Sequence, residues 1–287
     1  MKILLIGGTG RIGRPLIDKL LDRGIQQIRV LSKSSERAAT LPEAVETFIS
    51  DVVADPEATR AAFSGIDTVF MVNSPTVQET TEGLLCVALA RDSQVKRFVY
   101  QSVHKLEDLM FLPHVGSKLS IQRAVEQSGM DFTLICPNCF FQNDDLGRKP
   151  LLESNLYIQP IGNVGCSSVD IGDISDAAEI VLTSDGHSGK SYNLVGPDIV
   201  TSADCAAIWS HALGRTIDYV QDIGIWKEIV KPFMPAWKVY DLGLMYEKFS
   251  RIGMLGTEAD VDRVTGLLGR PPKSYEEYVN DRIAEWS

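Results

Sequence analysis

Short apolar runs alternate with amphipathic stretches along roughly the first 135 residues of the chain. The runs that predict strands are Lys2–Ile6, Ile28–Leu31, Thr47–Ile49, Thr68–Val72, Arg97–Gln101 and Phe132–Cys136. Several of them are almost continuously apolar, which is typical of strands buried on both faces of a parallel sheet. The stretches between them place apolar residues on one helical face. This alternation predicts an α/β fold built on a doubly wound parallel sheet.

The alternation stops after about residue 140. Gly147–Gly165 is rich in Pro, Asn and Gly, and this composition predicts a loop with one short strand. Asp173–Thr183 has a helical pattern, Ser191–Val195 is a strand candidate, and the chain from Ser202 onward is mainly helical in pattern. The tail therefore predicts a smaller, helix-rich lobe that packs on the sheet and binds the substrate.

Composition excludes several classes of protein. The chain has 287 residues, of which 44% are apolar, and it lacks a run of about 18 apolar residues, so neither a disordered chain nor a membrane-spanning helix is expected. Its net charge of −10 argues against nucleic acid or an anionic membrane surface as a partner. Five cysteines without a recognisable secretory leader predict reduced thiols and a cytoplasmic location.

A glycine-rich segment directly follows the first predicted strand and precedes the first predicted helix. It satisfies the Gly-x-Gly-x-x-Gly pattern, whose glycines permit a tight turn, a close approach to pyrophosphate and close packing of helix against strand. The N-terminus of such a helix presents aligned N–H donors to an anion. The residues predicted to bind a dinucleotide here are Gly7, Thr9, Gly10, Arg11, Ile12 and Gly13. A glycine-rich turn without a ligand is the alternative.

The end of the second predicted strand bears on which dinucleotide is bound. NAD-binding sites usually carry Asp or Glu about 20 residues after the glycines, against the ribose 2′-hydroxyl. This chain has Ser32 and Lys33 at that position, and Arg37 follows four residues after Lys33. With Arg11, these cations could hold a 2′-phosphate, so the sequence predicts NADP(H) over NAD(H). An ordinary solvated loop is the alternative.

Asp51 and Val52 follow the third predicted strand. The carboxylate of Asp51 could accept a hydrogen bond from the adenine amine of the dinucleotide. It could equally cap the next helix, a role for which Asp55 competes. The sequence leaves both roles open.

These motifs together resemble the atypical short-chain dehydrogenase/reductases, and within them the NmrA-like family. The segments that carry the resemblance are Gly7–Gly13, Asp51-Val52, Val69–Val72, Lys96–Ser102, His114 with Lys118, Phe132–Pro137, Asn143, Asp173–Ala178, Tyr192–Pro197 and Leu268–Pro272. The resemblance implies a Rossmann-type dinucleotide domain of residues 1–140, to which 172–197 return. It implies a substrate lobe of residues 141–171 and 198–287.

The resemblance also raises the question of catalysis, because dehydrogenases of this superfamily typically use Tyr-x-x-x-Lys with an upstream Ser. There the tyrosine donates a proton, and the lysine one helical turn away lowers the tyrosine pKa and holds the ribose. No tyrosine of this chain has a lysine four residues later. His114 stands in the matching position, with Lys118 four residues on and Ser102 upstream. These three are the candidate catalytic residues, and Lys118 is also the candidate ribose ligand.

Two mechanisms remain open for such a site. His114 could replace the tyrosine as proton donor, since imidazole titrates near neutral pH. Alternatively, hydride transfer to a quinone could draw its proton from water, so that the protein only positions cofactor and acceptor. The simpler alternative is that His114 and Lys118 have no chemical role.

Further site residues are predicted where the carboxyl ends of the strands meet, the edge at which sheets of this class bind ligands. The residues predicted to line the nicotinamide side are Asn73, Ser74, Pro137, Asn138 and Phe140. Cys136 and Cys139 form a C-x-x-C pattern, but a zinc site would need two further ligands at a recognisable spacing. No metal site is predicted, and a redox pair is disfavoured because Cys136 falls on a strand.

The resemblance implies an NADP(H)-dependent oxidoreductase that reduces a small conjugated acceptor such as a quinone. The alternative is a non-catalytic sensor of the NADPH/NADP⁺ ratio that acts through a regulatory protein partner. A sugar-nucleotide epimerase is less favoured, because it would need the tyrosine that this chain lacks. The sequence does not indicate an oligomeric state.

Overall fold

The predicted strands form a seven-stranded sheet in the computed structural model, which describes residues 1–286. From one edge to the other its strands are β3 (Glu46–Ile49), β2 (Ile28–Ser32), β1 (Ile3–Ile6), β4 (Thr68–Met71), β5 (Arg97–Gln101), β6 (Asp131–Pro137) and β8 (Lys190–Leu194). Every pairing from β3 through β6 is parallel. The strand order reverses between β1 and β4, the position at which sheets of this class bind ligands. The predicted α/β fold is confirmed.

Helices connect these strands and make up most of the chain after β8. Their bounds are α1 (Gly13–Asp22), α2 (Ser35–Ala38), α3 (Pro56–Arg60), α4 (Glu79–Asp92), α5 (Leu106–Leu109), α6 (Pro113–Glu126), α7 (Arg148–Ser154), α8 (Ile171–Thr183), α9 (Ser202–Leu213), α10 (Ile223–Val230), α11 (Ala236–Ile252), α12 (Glu258–Leu268) and α13 (Tyr275–Trp286). Ala61–Phe63 and Phe141–Gly147 are 3₁₀ helices.

The core on one face of the sheet lies under α4 and α6. Successive strand residues point to opposite faces, so Leu4, Val69 and Phe98 share this face, and all three are fully buried. Helices α4 and α6 approach closely at Gly83, where an added Cβ would lie 2.5 Å from Cγ1 of Ile121. This close packing brings the first turn of α4, which contains Glu79, next to α6.

The chain divides into two compact units. The first unit is Met1–Cys136 with Ile174–Tyr192, and the second unit is Pro137–Asp173 with the chain from Asn193 onward. In the first unit α8 is held to α1 by the ion pairs Lys19–Asp176 and Arg23–Glu179.

The second unit is mainly helical, as the sequence predicts, and it holds a small two-stranded sheet of β7 (Leu156–Tyr157) and β9 (Asp218–Tyr219). The prediction of a loop over the whole of Gly147–Gly165 is wrong for Arg148–Ser154, which is α7. Pro150 does not interrupt this helix because it lies in the first turn, where a backbone N–H has no helical partner. Leu151 is buried and Asn155 ends the helix in the left-handed conformation, with φ of 54°.

Candidate dinucleotide site

The glycine segment forms a tight loop between β1 and α1. Gly7 has φ of +87°, and its carbonyl accepts a hydrogen bond of 3.0 Å from the N–H of Gly10. A Cβ on Gly13 would overlap the Gly7 carbonyl and lie 2.5 Å from the Cα of Gly8. Glycine is therefore required at 7 by backbone conformation and at 13 by packing, which are two of the three roles predicted for this motif.

The N-terminus of α1 can accept an anion. Its N-cap is Ile12, no described side chain makes a capping hydrogen bond to it, and its first turn contains no acidic residue. Pro15 has no N–H and the N–H of Arg14 donates to the carbonyl of Gly10 at 3.0 Å, so an anion at this helix end would be bound by the N–H groups that precede Arg14 in the chain. Gly10 and Arg11 are exposed beside this end, and Thr9 is half-buried. The loop has the geometry of a pyrophosphate site.

The end of β2 contains the residues predicted to hold a 2′-phosphate. Ser32 is buried, and its hydroxyl donates to the carbonyl of Ser34 at 3.0 Å. The ammonium of Lys33 lies 3.3 Å from Asp51 and 3.4 Å from Glu82. Burial alone would lower the pKa of Lys33, but these two carboxylates outweigh it and raise that pKa above its usual value. Lys33 is thus already paired with two anions.

Arg37 lies in the last turn of the short helix α2 and is exposed. The start of this helix is capped by the Ser34 hydroxyl, which accepts from the N–H of Arg37 at 3.1 Å. Of the two cations predicted to bind the 2′-phosphate on this segment, Lys33 already contacts two carboxylates. The guanidinium of Arg37 is therefore the more accessible to a phosphate.

Asp51 holds a turn of the main chain. Its carboxylate accepts hydrogen bonds from the N–H groups of Val53, at 2.9 Å, and Ala54, at 3.4 Å. The capping alternative is wrong, because Asp55 caps α3 by accepting from the N–H of Ala58 at 2.9 Å. Val52 is buried. A contact of Asp51 with adenine stays a prediction.

The end of β4 adjoins the glycine loop, since a Cβ on Gly7 would lie 2.7 Å from Cγ1 of Val72. Asn73 follows directly and is 6% exposed, and neither polar atom of its side-chain amide has a hydrogen-bond partner among the described residues. An unpaired buried amide is costly, so it points to a missing ligand or water. Ser74 is exposed.

Ser102, beyond the end of β5, is buried, and its hydroxyl donates to Oε1 of Gln122 at 2.6 Å. Gln122 in turn donates to Glu126 at 2.9 Å. The Ser102 hydroxyl is therefore hydrogen-bonded to a side chain of α6 and is not free to donate to a hydride-accepting substrate.

His114 and Lys118 lie on consecutive turns of α6, as predicted. The ammonium of Lys118 contacts Oε1 of Glu79 at 2.8 Å, and the side chains are 12% and 0% exposed. Burial raises the pKa of Glu79, and the charges of Lys118 and His114 oppose that rise. Glu79 is not among the residues predicted from the sequence, since an acidic residue in the first turn of a helix is ordinary and nothing local marks it as buried.

Three predicted nicotinamide-side residues belong to the second unit. Asn138 is buried, and its amide donates to the carbonyl of Met254 at 2.7 Å and accepts from the N–H of Cys139 at 2.7 Å. Phe140 forms a β-bridge with Val169, and Pro137 is buried at the end of β6. The Asn138 side chain is thus used in the packing of its own unit, and the cofactor roles of these residues stay predictions.

The second unit contains a small pocket that is partly open to solvent. Aromatic and apolar residues form most of its lining, which includes Phe140, Phe141, Tyr157, Tyr246, Tyr275 and Val200. Asp144 also lines it, and its carboxylate accepts from Tyr157 at 3.0 Å, from Trp209 at 3.3 Å and from Tyr275. Burial raises the pKa of Asp144 to about 7, against the effect of these three donors.

All five cysteines are free thiols. Cys136 is buried and contacts the Ser191 hydroxyl at 3.3 Å, and burial raises its pKa to about 11. Within residues 1–286 no three His, Cys, Asp or Glu side chains are grouped to hold a metal ion. Across the same residues, no helix has the length and apolarity that crossing a membrane requires.

Known proteins resemble this chain over nearly its whole length. The sequence model of the NmrA-like family matches residues 1–279. The NAD(P)H azoreductase of Xenophilus azovorans is 28% identical over 292 residues, which cover 98% of each chain.

Two solved structures show the same fold. The NADPH-dependent quinone oxidoreductase of Escherichia coli, in complex with NADPH, superimposes with a TM-score of 0.88 at 21% identity, over 98% of this chain and 99% of that one. The Citrobacter sp. triphenylmethane reductase complexed with NADP(H) gives a TM-score of 0.86 at 23% identity, with the same coverage. Distant homologues of this chain are therefore NAD(P)H-dependent reductases.

Proposed function

We propose, from the premise that this chain belongs to the NmrA-like family, that it is an NADP(H)-dependent oxidoreductase. The observation that carries the proposal is the loop from Gly7 to Gly13, whose conformation and packing require glycine and which leads into a helix N-terminus without a side-chain cap. Such a loop is suited to bind a pyrophosphate with backbone N–H groups.

The residues around the loop fit the rest of a dinucleotide. The buried amide of Asn73, which has no partner among the described residues, lies directly after the strand that adjoins Gly7 and would bind on the nicotinamide side. Lys118 would donate to the ribose hydroxyls. When bound, NADPH supplies the hydride for reduction of an acceptor.

Selectivity for NADP(H) over NAD(H) would depend mainly on Arg37 and Arg11. Arg37 is exposed, whereas Lys33 is shared between Asp51 and Glu82. Arg11 is exposed beside the glycine loop. A guanidinium can bind a phosphate through two parallel hydrogen bonds, which favours a 2′-phosphate over a hydroxyl. The net charge of −10 does not oppose this binding, because the positive groups are local to the site.

The acceptor we propose is a small conjugated molecule, a quinone or an azo compound. The names of the relatives support this class, since they are an azoreductase, a quinone oxidoreductase and a triphenylmethane reductase. His114, half-buried on α6, is the candidate proton donor. The free thiols agree with the predicted cytoplasmic location, where such reductases would meet NADPH.

Two measurements on the purified protein test this proposal. Calorimetric titration with NADPH and NADH should show tighter binding of NADPH. Anaerobic mixing of NADPH with a panel of quinones, azo compounds and triphenylmethane dyes should then show loss of NADPH absorbance with at least one class. Failure to bind either dinucleotide would refute the proposal.

A second function, an NADPH sensor that acts on a protein partner, is favoured by two observations. The chain has no tyrosine at the position of the usual proton donor, and the hydroxyl of Ser102 is bound to Gln122. A sensor would bind NADPH and NADP⁺ with different affinities and shift a conformational equilibrium. Binding without turnover on the whole panel, with unchanged affinity in His114→Ala, would favour this function.

A further inference from the structure

A buried ion pair links α4 to α6 in the first unit. The carboxyl of Glu79 is 0% exposed, and its Oε1 lies 2.8 Å from the ammonium of Lys118, which is 12% exposed. The pair therefore joins two residues 39 positions apart in a region that is almost free of solvent.

The second oxygen of Glu79 has no hydrogen-bond partner among the described residues, and the same is true of the buried hydroxyl of Tyr100 on β5. The other charged groups that face Glu79 are His114 on α6 and Glu82 on its own helix. Glu82 is in turn balanced by Lys33 at 3.4 Å. Lys118 therefore contacts the Glu79 carboxylate directly, and the charge of His114 also acts on it.

Stability alone does not explain why such a pair is present. A buried ion pair is often no more stabilising than apolar residues of similar volume, because both charges lose their hydration. A nearly buried ammonium without a counter-charge releases its proton more readily, since burial disfavours the charged form. The negative charge of the carboxylate therefore favours the protonated form of an amine at this position.

We propose that Glu79 is a positioning residue for Lys118, holding its ammonium group in place and protonated so that the remaining N–H donors can bind the nicotinamide ribose. This inference rests on the proposed function, which assigns Lys118 to the ribose. Glu79 itself does not contact the cofactor in this proposal and acts through Lys118.

The pH dependence of NADPH binding tests the proposal, because a merely structural role would not change it. Titrations run from about pH 7.5 to about pH 9.5, where free imidazole is mostly neutral and the 2′-phosphate is fully ionised. The wild-type dissociation constant should change less than about two-fold across this range. In Glu79→Gln, which keeps the shape and an acceptor oxygen, it should rise about ten-fold as Lys118 loses its proton.

Glu79→Asp is the matched control, because it retains the carboxylate and should restore a nearly flat profile. A Glu79→Gln profile as flat as that of the wild-type protein would overturn the inference and leave the proposed function intact. Absence of NADPH binding by the wild-type protein would overturn the proposed function, and with it this inference.

A second pair of variants tests the coupling of the two charges, even if Glu79→Gln alone does not fold. Lys118→Met should weaken NADPH binding, and it should also destabilise the protein by leaving a buried carboxylate without its partner. The double variant Glu79→Gln with Lys118→Met removes both charges, so stability should recover while affinity stays as low as in Lys118→Met. A double variant that binds NADPH as tightly as the wild-type protein would refute the role of the pair.

Discussion

Replacing Asp144 by asparagine should change how the stability of the second unit depends on pH. Asp144 is 5% exposed, and burial raises the pKa of its carboxyl to about 7. In an unfolded chain the pKa of aspartate is about 3.9. Between these values the folded protein keeps a proton that the unfolded chain has lost, so this residue's contribution to stability falls as pH rises.

The size of the effect follows from the difference between the two pKa values. About three pKa units correspond to about 4 kcal/mol of unfolding free energy, present below pH 4 and lost by about pH 7. Asp144→Asn has a side chain of the same shape that does not titrate. Its unfolding free energy relative to the wild-type protein should therefore improve by about 4 kcal/mol between about pH 4 and about pH 8.

Urea unfolding of both proteins at a series of pH values measures this difference directly, and contributions from other groups cancel between them. Asp198→Asn, at an exposed position of the same unit, is the control and should give a constant difference. A constant difference between the wild-type protein and Asp144→Asn over the whole range would mean that Asp144 has the same pKa in both states, and that burial does not raise it.

Three further predictions concern the first unit, with one control in the second. Gly13→Ala should abolish NADPH binding in a calorimetric titration and lower the melting temperature, because its Cβ would lie 2.5 Å from the Cα of Gly8. The control is Gly266→Ala in α12, where an added Cβ would have no atom within 4 Å. It should leave NADPH binding unchanged and stabilise the protein slightly. Equal losses of binding in the two variants would contradict the role of Gly13. Arg37→Ala should weaken NADPH binding about ten-fold with little effect on NADH, which competitive titration would show. The Cys136 thiol should resist a thiol reagent at about pH 8 until the protein is unfolded, because burial raises its pKa to about 11; fast labelling of the native thiol would contradict the burial.

The dinucleotide loop could be predicted from the sequence because its determinants are adjacent in the chain. The glycines, the preceding apolar strand and the following helix all lie between Ile3 and Asp22. Glycine is required at 7 by a positive φ and at 13 by contact with the main chain of the same loop. The same locality explains why the strands of the first unit are found close to their predicted bounds. Local pattern is sufficient where one segment satisfies its own conformational requirements.

The partners of the site residues could not be predicted in this way. The Glu79–Lys118 contact joins positions 39 apart, and the contact of Asn138 with Met254 joins positions 116 apart. Whether Lys33 is free or bound to Asp51 likewise depends on how β2 and β3 pair. Such contacts follow from tertiary packing, for which a single sequence carries no local signal.

The one clear error in secondary structure, at Arg148–Ser154, has a similar origin. Pro150 and the nearby glycine indicate a loop when each residue is considered for its own propensity. The helix forms because Pro150 falls in its first turn and Leu151 is fully buried. The position of Pro150 within the helix, and not the composition of the segment, therefore explains why a helix forms here.

Whether this protein is an NADPH-dependent reductase can be decided by the rate at which the purified protein oxidises NADPH, measured anaerobically with a small quinone. We expect NADPH absorbance to fall with equimolar reduction of the quinone, faster than without protein, and we expect Gly13→Ala to remove this activity. Oxidation of NADPH that persists unchanged in Gly13→Ala, or a wild-type protein that neither binds nor oxidises NADPH, would contradict this expectation.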